Sequence, residues 1–170
     1  GMTPRIDTFE RPDLFERDTW NRQVADLQAL VSAVRAGDVP GCNGELPITL
    51  FGHSRGGIAV LLYAGRGGDV QRIITAAAPC TARAPDDPAH PIREELKATG
   101  RVRAESSRTG QLLHQGAQFF TEADANKAAH DPIKMAANIG QANLPIKIIH
   151  GAADTTVLPA NSERLAARMS

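Results

Sequence analysis

The chain has 170 residues, 42% of them hydrophobic and 22% charged, with Lys plus Arg equal to Asp plus Glu at 19 each. A formal charge of zero offers no basic surface to engage phosphates, which argues against a dedicated nucleic-acid binder. The longest apolar stretch, Ile58 to Ala64, is far short of the roughly 20 residues that a bilayer span needs.

The length suits one domain with a core of its own. Cys42 and Cys80 make no disulfide framework, and no Cys/His spacing suggests zinc. Neither a metal nor another cofactor is expected. No charged start followed by an apolar segment marks a signal peptide, so the cytoplasm is the expected compartment. Gly1 ahead of Met2 reads as a tag remnant and is set aside.

Residues 3 to 17 hold two prolines and mixed charge without a clear period, and read as irregular entry. Leu14 and Phe15 are candidates to plug a groove there. Asp18 or Thr19 can cap the next helix, because a short side-chain oxygen accepts from a first-turn amide. Trp20, Val24, Leu27, Val31 and Val34 follow at spacings of 4, 3, 4 and 3, an amphipathic stripe facing a core. Gly37 ends this helix, and residues 40 to 44 are loop.

Residues 47 to 51 form a short apolar, partly β-branched strand. A tight turn follows, Gly52-His53-Ser54-Arg55-Gly56, and then an apolar helix over 55 to 64. A nucleophilic serine must stand clear of its sheet, so the backbone folds sharply beneath it. Such a turn has no room for Cβ atoms on either side, which accounts for glycine at 52 and 56. The helix that follows aims its N-terminal amides at the point where an oxyanion forms.

Val70 to Ala77 is the next strand, running into the small residues Ala77, Ala78 and Pro79. Space at a strand's carboxyl end is where open α/β sheets bind ligands. Residues 80 to 131 are less regular. They contain a short helix over 92 to 98 stopped by Gly100, a hairpin of 101 to 103 with 111 to 114, and a helix over 119 to 129. Another short helix spans 132 to 138. Ile146 to His150 is the third strand and ends in His150-Gly151-Ala152-Ala153-Asp154. Pro159 opens a last helix, with Leu165, Ala166 and Met169 turned inward. There is no internal repeat.

Gly52, His53, Ser54, Arg55, Gly56 and Gly57, set between strand and buried helix, resemble the nucleophile elbow of the α/β-hydrolase superfamily. His150-Gly151-x-x-Asp154 is similar to the segment in which that superfamily carries its catalytic acid. The resemblance covers residues 18 to 168. It implies a three-layer α/β/α fold with a mainly parallel sheet, incomplete, in one domain over 1 to 170 with residues 80 to 131 as a cap-like insertion. It implies Ser54 as nucleophile, Asp154 as the acid of the triad, the Arg55 amide in the oxyanion hole, and Gly52 and Gly56 as elbow glycines. The expected activity is hydrolysis of a carboxylic ester, thioester or related acyl bond of a small molecule, away from nucleic acids and membranes.

Two parts of the pattern are missing. In this superfamily the base follows the acid in chain order. Only 16 residues follow Asp154 and none is histidine. His53, His90, His114, His130 and His150 all precede it. His150 is expected to be a structural neighbour of the acid. Further strands normally precede the helix at 19 to 36, and with them the loop that gives the second oxyanion amide. Truncation, a fragment, or strands supplied by a partner subunit would each account for the gap. A homo-oligomer could cover the open sheet edges. A second reading is therefore kept open: an incomplete remnant that acts as a binding or interaction module. A third is a small-molecule binder using the elbow amides as an anion nest. Arg101, Arg103 and Arg108 are either contacts for an acidic substrate or solvated hairpin charges.

Overall fold

A computed structural model describes residues 9–106 and 109–169. Residues 3–8 of the entry segment, and Ser107 and Arg108 in the hairpin turn, lie outside them. The chain forms two compact units, Asn21–Ala82 with Asn126–Ser170, and Gly1–Trp20 with Arg83–Ala125.

The first of these units is built on a parallel sheet in the order β1-β2-β5, with β1 at Thr49–His53, β2 at Arg72–Ala76 and β5 at Ile146–Ile149. Parallel neighbours need crossovers, and helices supply them. α3 (Arg55–Gly65) links β1 to β2, and α6 (Pro132–Gln141) precedes β5. α2 (Trp20–Ala36) comes before β1, and α7 (Ala160–Ala166) follows β5. Every residue of α3 from Gly57 to Ala64 is buried, as an all-round apolar helix demands.

Strand side chains alternate between faces. Leu50, Ile73, Ile146 and Ile148 share one face and pack into the core cluster with Val31, Val60, Leu61, Ile139 and Leu165. Val24 and Leu27 of the α2 stripe pack against that cluster too. Arg35, in the last turn of α2, binds both loops that lead into the sheet. Its Nε donates to Asp69 at 2.7 Å and its Nη1 to the carbonyls of Gly44 and Leu46 at 2.6 and 2.9 Å.

The other unit is an antiparallel hairpin, β3 (Arg101–Glu105) with β4 (Leu112–Gly116), with α1 (Pro12–Glu16), α4 (Pro91–Thr99) and α5 (Ala117–Ala125). The expected helix and hairpin of the insertion are present, and Gly100 caps α4 with φ 73°. The entry segment differs from expectation. Its Pro12 occupies the first turn of a short helix, where a missing N–H costs nothing. Main-chain oxygens of Phe15, Glu16 and Asp18 accept from the side chains of Gln115 and Gln118. Trp20, at the head of the α2 stripe, packs its ring 5.3 Å from Phe119. A bidentate pair, Arg93 on Asp124 at 2.5 and 2.9 Å, joins α4 to α5.

Strand and helix ends shift by a few residues from the sequence reading. One shift matters for the site: β1 runs to His53, so Gly52 and His53 belong to the strand rather than to the turn.

The core assignment gives a first prediction. Leu165→Ala, which empties a fully buried position, lowers unfolding free energy by about 2–5 kcal/mol. Leu30→Ala, at a position 53% exposed, changes it by less than about 0.5 kcal/mol. Urea denaturation followed by circular dichroism measures both.

Candidate active site

Ser54 lies between the last residue of β1 and the first of α3, with φ 52° and ψ −121°. Few non-glycine residues adopt such a backbone, and holding one costs on the order of 1–3 kcal/mol. Main-chain bonds hold it. The Ser54 amide donates to the Ala76 carbonyl at 2.8 Å, and the Ser54 carbonyl accepts from the Gly57 amide at 2.9 Å. One strand further on, the amide of Ala77, itself at φ 48°, donates to the Ile149 carbonyl at 2.9 Å. The carboxyl rim of the sheet is thus stitched from β1 through β2 to β5. The Ser54 hydroxyl makes no capping bond to α3.

The elbow glycines divide unevenly. A Cβ on Gly52 would stand 2.3 Å from the Gly56 carbonyl oxygen and 2.7 Å from the Gly57 Cα. A Cβ on Gly56 would meet nothing within 4 Å, so the expected crowding at that position is absent. It falls instead on Gly57, where a Cβ would come within 2.6 Å of the Ala78 Cβ. The turn itself is open on its outer side. The tight approach is one helix residue later, where α3 crosses the end of β2. The sequence signal for it was the second glycine of the Gly56-Gly57 pair.

Asp154 follows β5 on the same rim, and β1 and β5 are two strand spacings apart, about 10 Å. Its Oδ1 accepts from the amides of Thr156 and Val157 at 2.9 and 3.0 Å. Those two donors hold the carboxyl below its ordinary pKa, partial burial opposes them, and the imidazoles of His150 and His53 add smaller pulls. Its Oδ2 lies 3.6 Å from His150 Nε2.

His150 is locked from both sides. Its Nε2 is 2.6 Å from the Val157 carbonyl, which only accepts, so Nε2 carries the proton. Its Nδ1 lies 2.6 Å from the Ser162 hydroxyl. Ser162 and its place in this lock carry no motif in the sequence. The arrangement fixes the 150–157 loop and occupies both ring nitrogens of His150.

The other histidines are placed as follows. His90 caps α4, its Nδ1 accepting from the Ile92 amide at 3.3 Å. His130 is fully buried, with Nε2 3.0 Å from Asn21 Oδ1. His114 lines a cavity of about 320 Å³ with Glu95, Thr99, Arg101 and Arg103. His53 is exposed at the end of β1. Among the described residues no imidazole is hydrogen-bonded to Ser54. Arg103 bonds Glu95 at 3.0 Å, and Arg101 lies 3.7 Å from Glu16, so both hairpin arginines already face carboxylates. Among the described residues no cluster of three or more His, Cys, Asp or Glu is placed to hold a metal ion.

A family model described as serine aminopeptidase, S33, matches residues 13–170. No curated protein matches the chain. An esterase domain from a Rhodothermus marinus protein superposes with a TM-score of 0.55 at 22% identity, over 86% of this chain and 54% of its own. A protein from Agrobacterium vitis S4 that carries a hydrolase's name superposes at 0.61 and 18% identity, over 91% of this chain and 57% of its own. The chain thus spans little more than half the length of these solved structures.

Two outcomes follow from the geometry. Gly52→Ala and Gly57→Ala each destabilise by about 1–3 kcal/mol, whereas Gly56→Ala changes stability by less than about 1 kcal/mol, all by thermal unfolding. Asp154 titrates below the usual value of about 3.9 in carbon-13 NMR. Because its folded pKa is depressed, its stabilising effect is full above the unfolded value and fades as pH falls through the folded one. Asp154→Ala therefore lowers Tm at pH 7, and the gap from wild type narrows as pH drops below about 4.

Proposed function

The chain belongs to the serine aminopeptidase S33 family of the α/β-hydrolase superfamily, and on that premise we propose that it is the nucleophile-bearing part of a serine hydrolase acting on a carboxylic ester, thioester or related acyl bond. The family's description adds the amide to that class. The observation that carries the reading is the backbone of Ser54. A serine held at positive φ between a parallel strand and a buried helix, with its hydroxyl outside the capping network, is arranged to present Oγ to a substrate.

A hydroxyl is too weak an acid to attack unaided, so a base must take its proton. In this reading Oγ of Ser54 attacks the acyl carbonyl and the proton passes to an imidazole. The oxyanion is met by the Arg55 amide and the positive end of α3. Collapse expels the alcohol, thiol or amine, which takes the proton back. Water then cleaves the acyl-enzyme by the same route. Asp154 orients the imidazole, its Oδ1 fixed by two amides. Of the five imidazoles, those of His90, His130 and His150 already hold other partners.

The lack of an imidazole on Ser54 also favours a second reading, a catalytically incomplete module that binds rather than turns over. The substrate is a small acyl compound under the first reading. Copies pairing along the open edges of β1 or β5 and a cytoplasmic setting belong to the same proposal. No helix among the described residues is long and apolar enough to cross a membrane.

Incubation with a fluorophosphonate and intact-mass analysis separates the two readings. We expect one phosphonyl adduct, on Ser54, absent in Ser54→Ala. A folded wild-type chain that stays unlabelled would leave the binding module as the reading.

A further inference from the structure

The carboxylates beside the hairpin arginines engage only part of each guanidinium. In the antiparallel register Arg103 stands opposite His114, and Arg101 lies two residues earlier on the same face. Val102 and its partner Gln115 are buried on the other face. Side chains directly opposite have Cβ atoms about 4.5–5.5 Å apart, so two guanidiniums and an imidazole share one small area. With Glu95 and Thr99 of α4 they line the cavity of about 320 Å³. Small-molecule pockets begin at that size, roughly 300 Å³. All five residues belong to the hairpin unit.

The hydrogen bonds leave donors available there. Glu95 Oε1 accepts from the Arg103 amide at 3.1 Å and from its Nε at 3.0 Å. A guanidinium carries five N–H donors, and neither Nη of Arg103 has a partner among the described residues. Arg101 Nη1 is 3.7 Å from Glu16, too far for a hydrogen bond, and Glu16 does not line the cavity. Neither ring nitrogen of His114 has a partner among the described residues. The Thr99 hydroxyl lies 2.9 Å from the Glu95 carbonyl and 2.6 Å from that of Arg101, which pins the end of α4 to the start of β3. A helix carboxyl end disfavours an anion. Here the carbonyls of Glu95 and Leu96 already accept, from Thr99 and from the Gly100 amide.

Such a donor set suits an oxyanion. A carboxylate offers two oxygens in one plane. A phosphate monoester offers three terminal oxygens around phosphorus, one for each of three donor groups, and the guanidinium fork fits phosphate in a bidentate way. Two arginines against one lining carboxylate also leave a positive surplus for a ligand of more than one negative charge. We propose that this cavity binds the phosphate group of a small organic monoester. Arg101 and Arg103 grip two of its oxygens and His114 donates to the third, while Glu95 aims Arg103 through Nε. The inference goes beyond acyl chemistry at Ser54, and its test involves no turnover.

Phenyl phosphate, benzoate and inorganic phosphate are titrated separately into the full chain, by calorimetry and by nitrogen-15 NMR of arginine Nε and histidine side chains. Phenyl phosphate should saturate one site, at least tenfold tighter than either of the others, and shift the signals of Arg103 and His114. Arg101→Gln and Arg103→Gln should each weaken it roughly tenfold, and added salt should weaken it in the wild type. Both arginines are exposed, and circular dichroism confirms folding of each variant. Ser54→Ala should bind like the wild type. Absence of saturable binding, equal affinity for benzoate or for inorganic phosphate, or unchanged affinity in the two folded arginine variants overturns the proposal. Loss of binding in Ser54→Ala overturns it too, since the ligand then sits at the elbow.

Discussion

The closest constraint in the molecule is a backbone-to-backbone contact. Where β1 ends and α3 begins, Gly52 lies against the main chain of Gly56 and Gly57 with no space for a single carbon. Everything at the carboxyl rim depends on that approach. It lets α3 start at once after the strand, which forces Ser54 into positive φ and lifts its side chain away from the ladder. Gly57 repeats the device against Ala78, seating the same helix over the end of β2. The turn is therefore tight on its inner side only.

Much of the architecture was legible in the chain. Periodicity separates the α2 stripe from the short β-branched strands, and each glycine or proline that ends an element does so for a local steric reason. Gly100 at φ 73° is one such stop, and Pro91 and Pro132 in the first turns of their helices are the matching starts. Legibility fails where the cause is not local. Pro12 and mixed charge suggested loop, yet the short helix there is held by glutamines a hundred residues on. Trp20 continues a perfect stripe and still turns to Phe119 rather than to the sheet. The choice between Gly56 and Gly57 was likewise hidden, because only the packed structure shows which Cβ has a neighbour.

The histidines show the same divide between residue type and role. Five imidazoles offer five candidates for a base, and composition cannot rank them. Hydrogen bonding does. His150 is saturated by a carbonyl and a hydroxyl, His90 spends a nitrogen on a helix cap, and His130 is buried against Asn21. The lock on His150 also explains why Asp154 sits where it does: the loop it closes leaves one carboxylate oxygen to two amides. A histidine beside an acid is here a fastening for the acid.

The division of the chain into interleaved units bears on its birth at the ribosome. Neither unit is a continuous stretch, since residues 83–125 interrupt one and residues 21–82 the other. The sheet is worse placed still, because its middle strand, β2, cannot gain its second neighbour until Ile146–Ile149 has been made. At roughly 5–20 residues per second, several seconds pass between synthesis of Arg72 and of β5. For that interval β2 presents an unpaired parallel edge, rich in isoleucine, to every other nascent chain nearby. The strand's one charge, Arg72, stands at its start. The folding hazard of this molecule is written in its strand order more than in its composition.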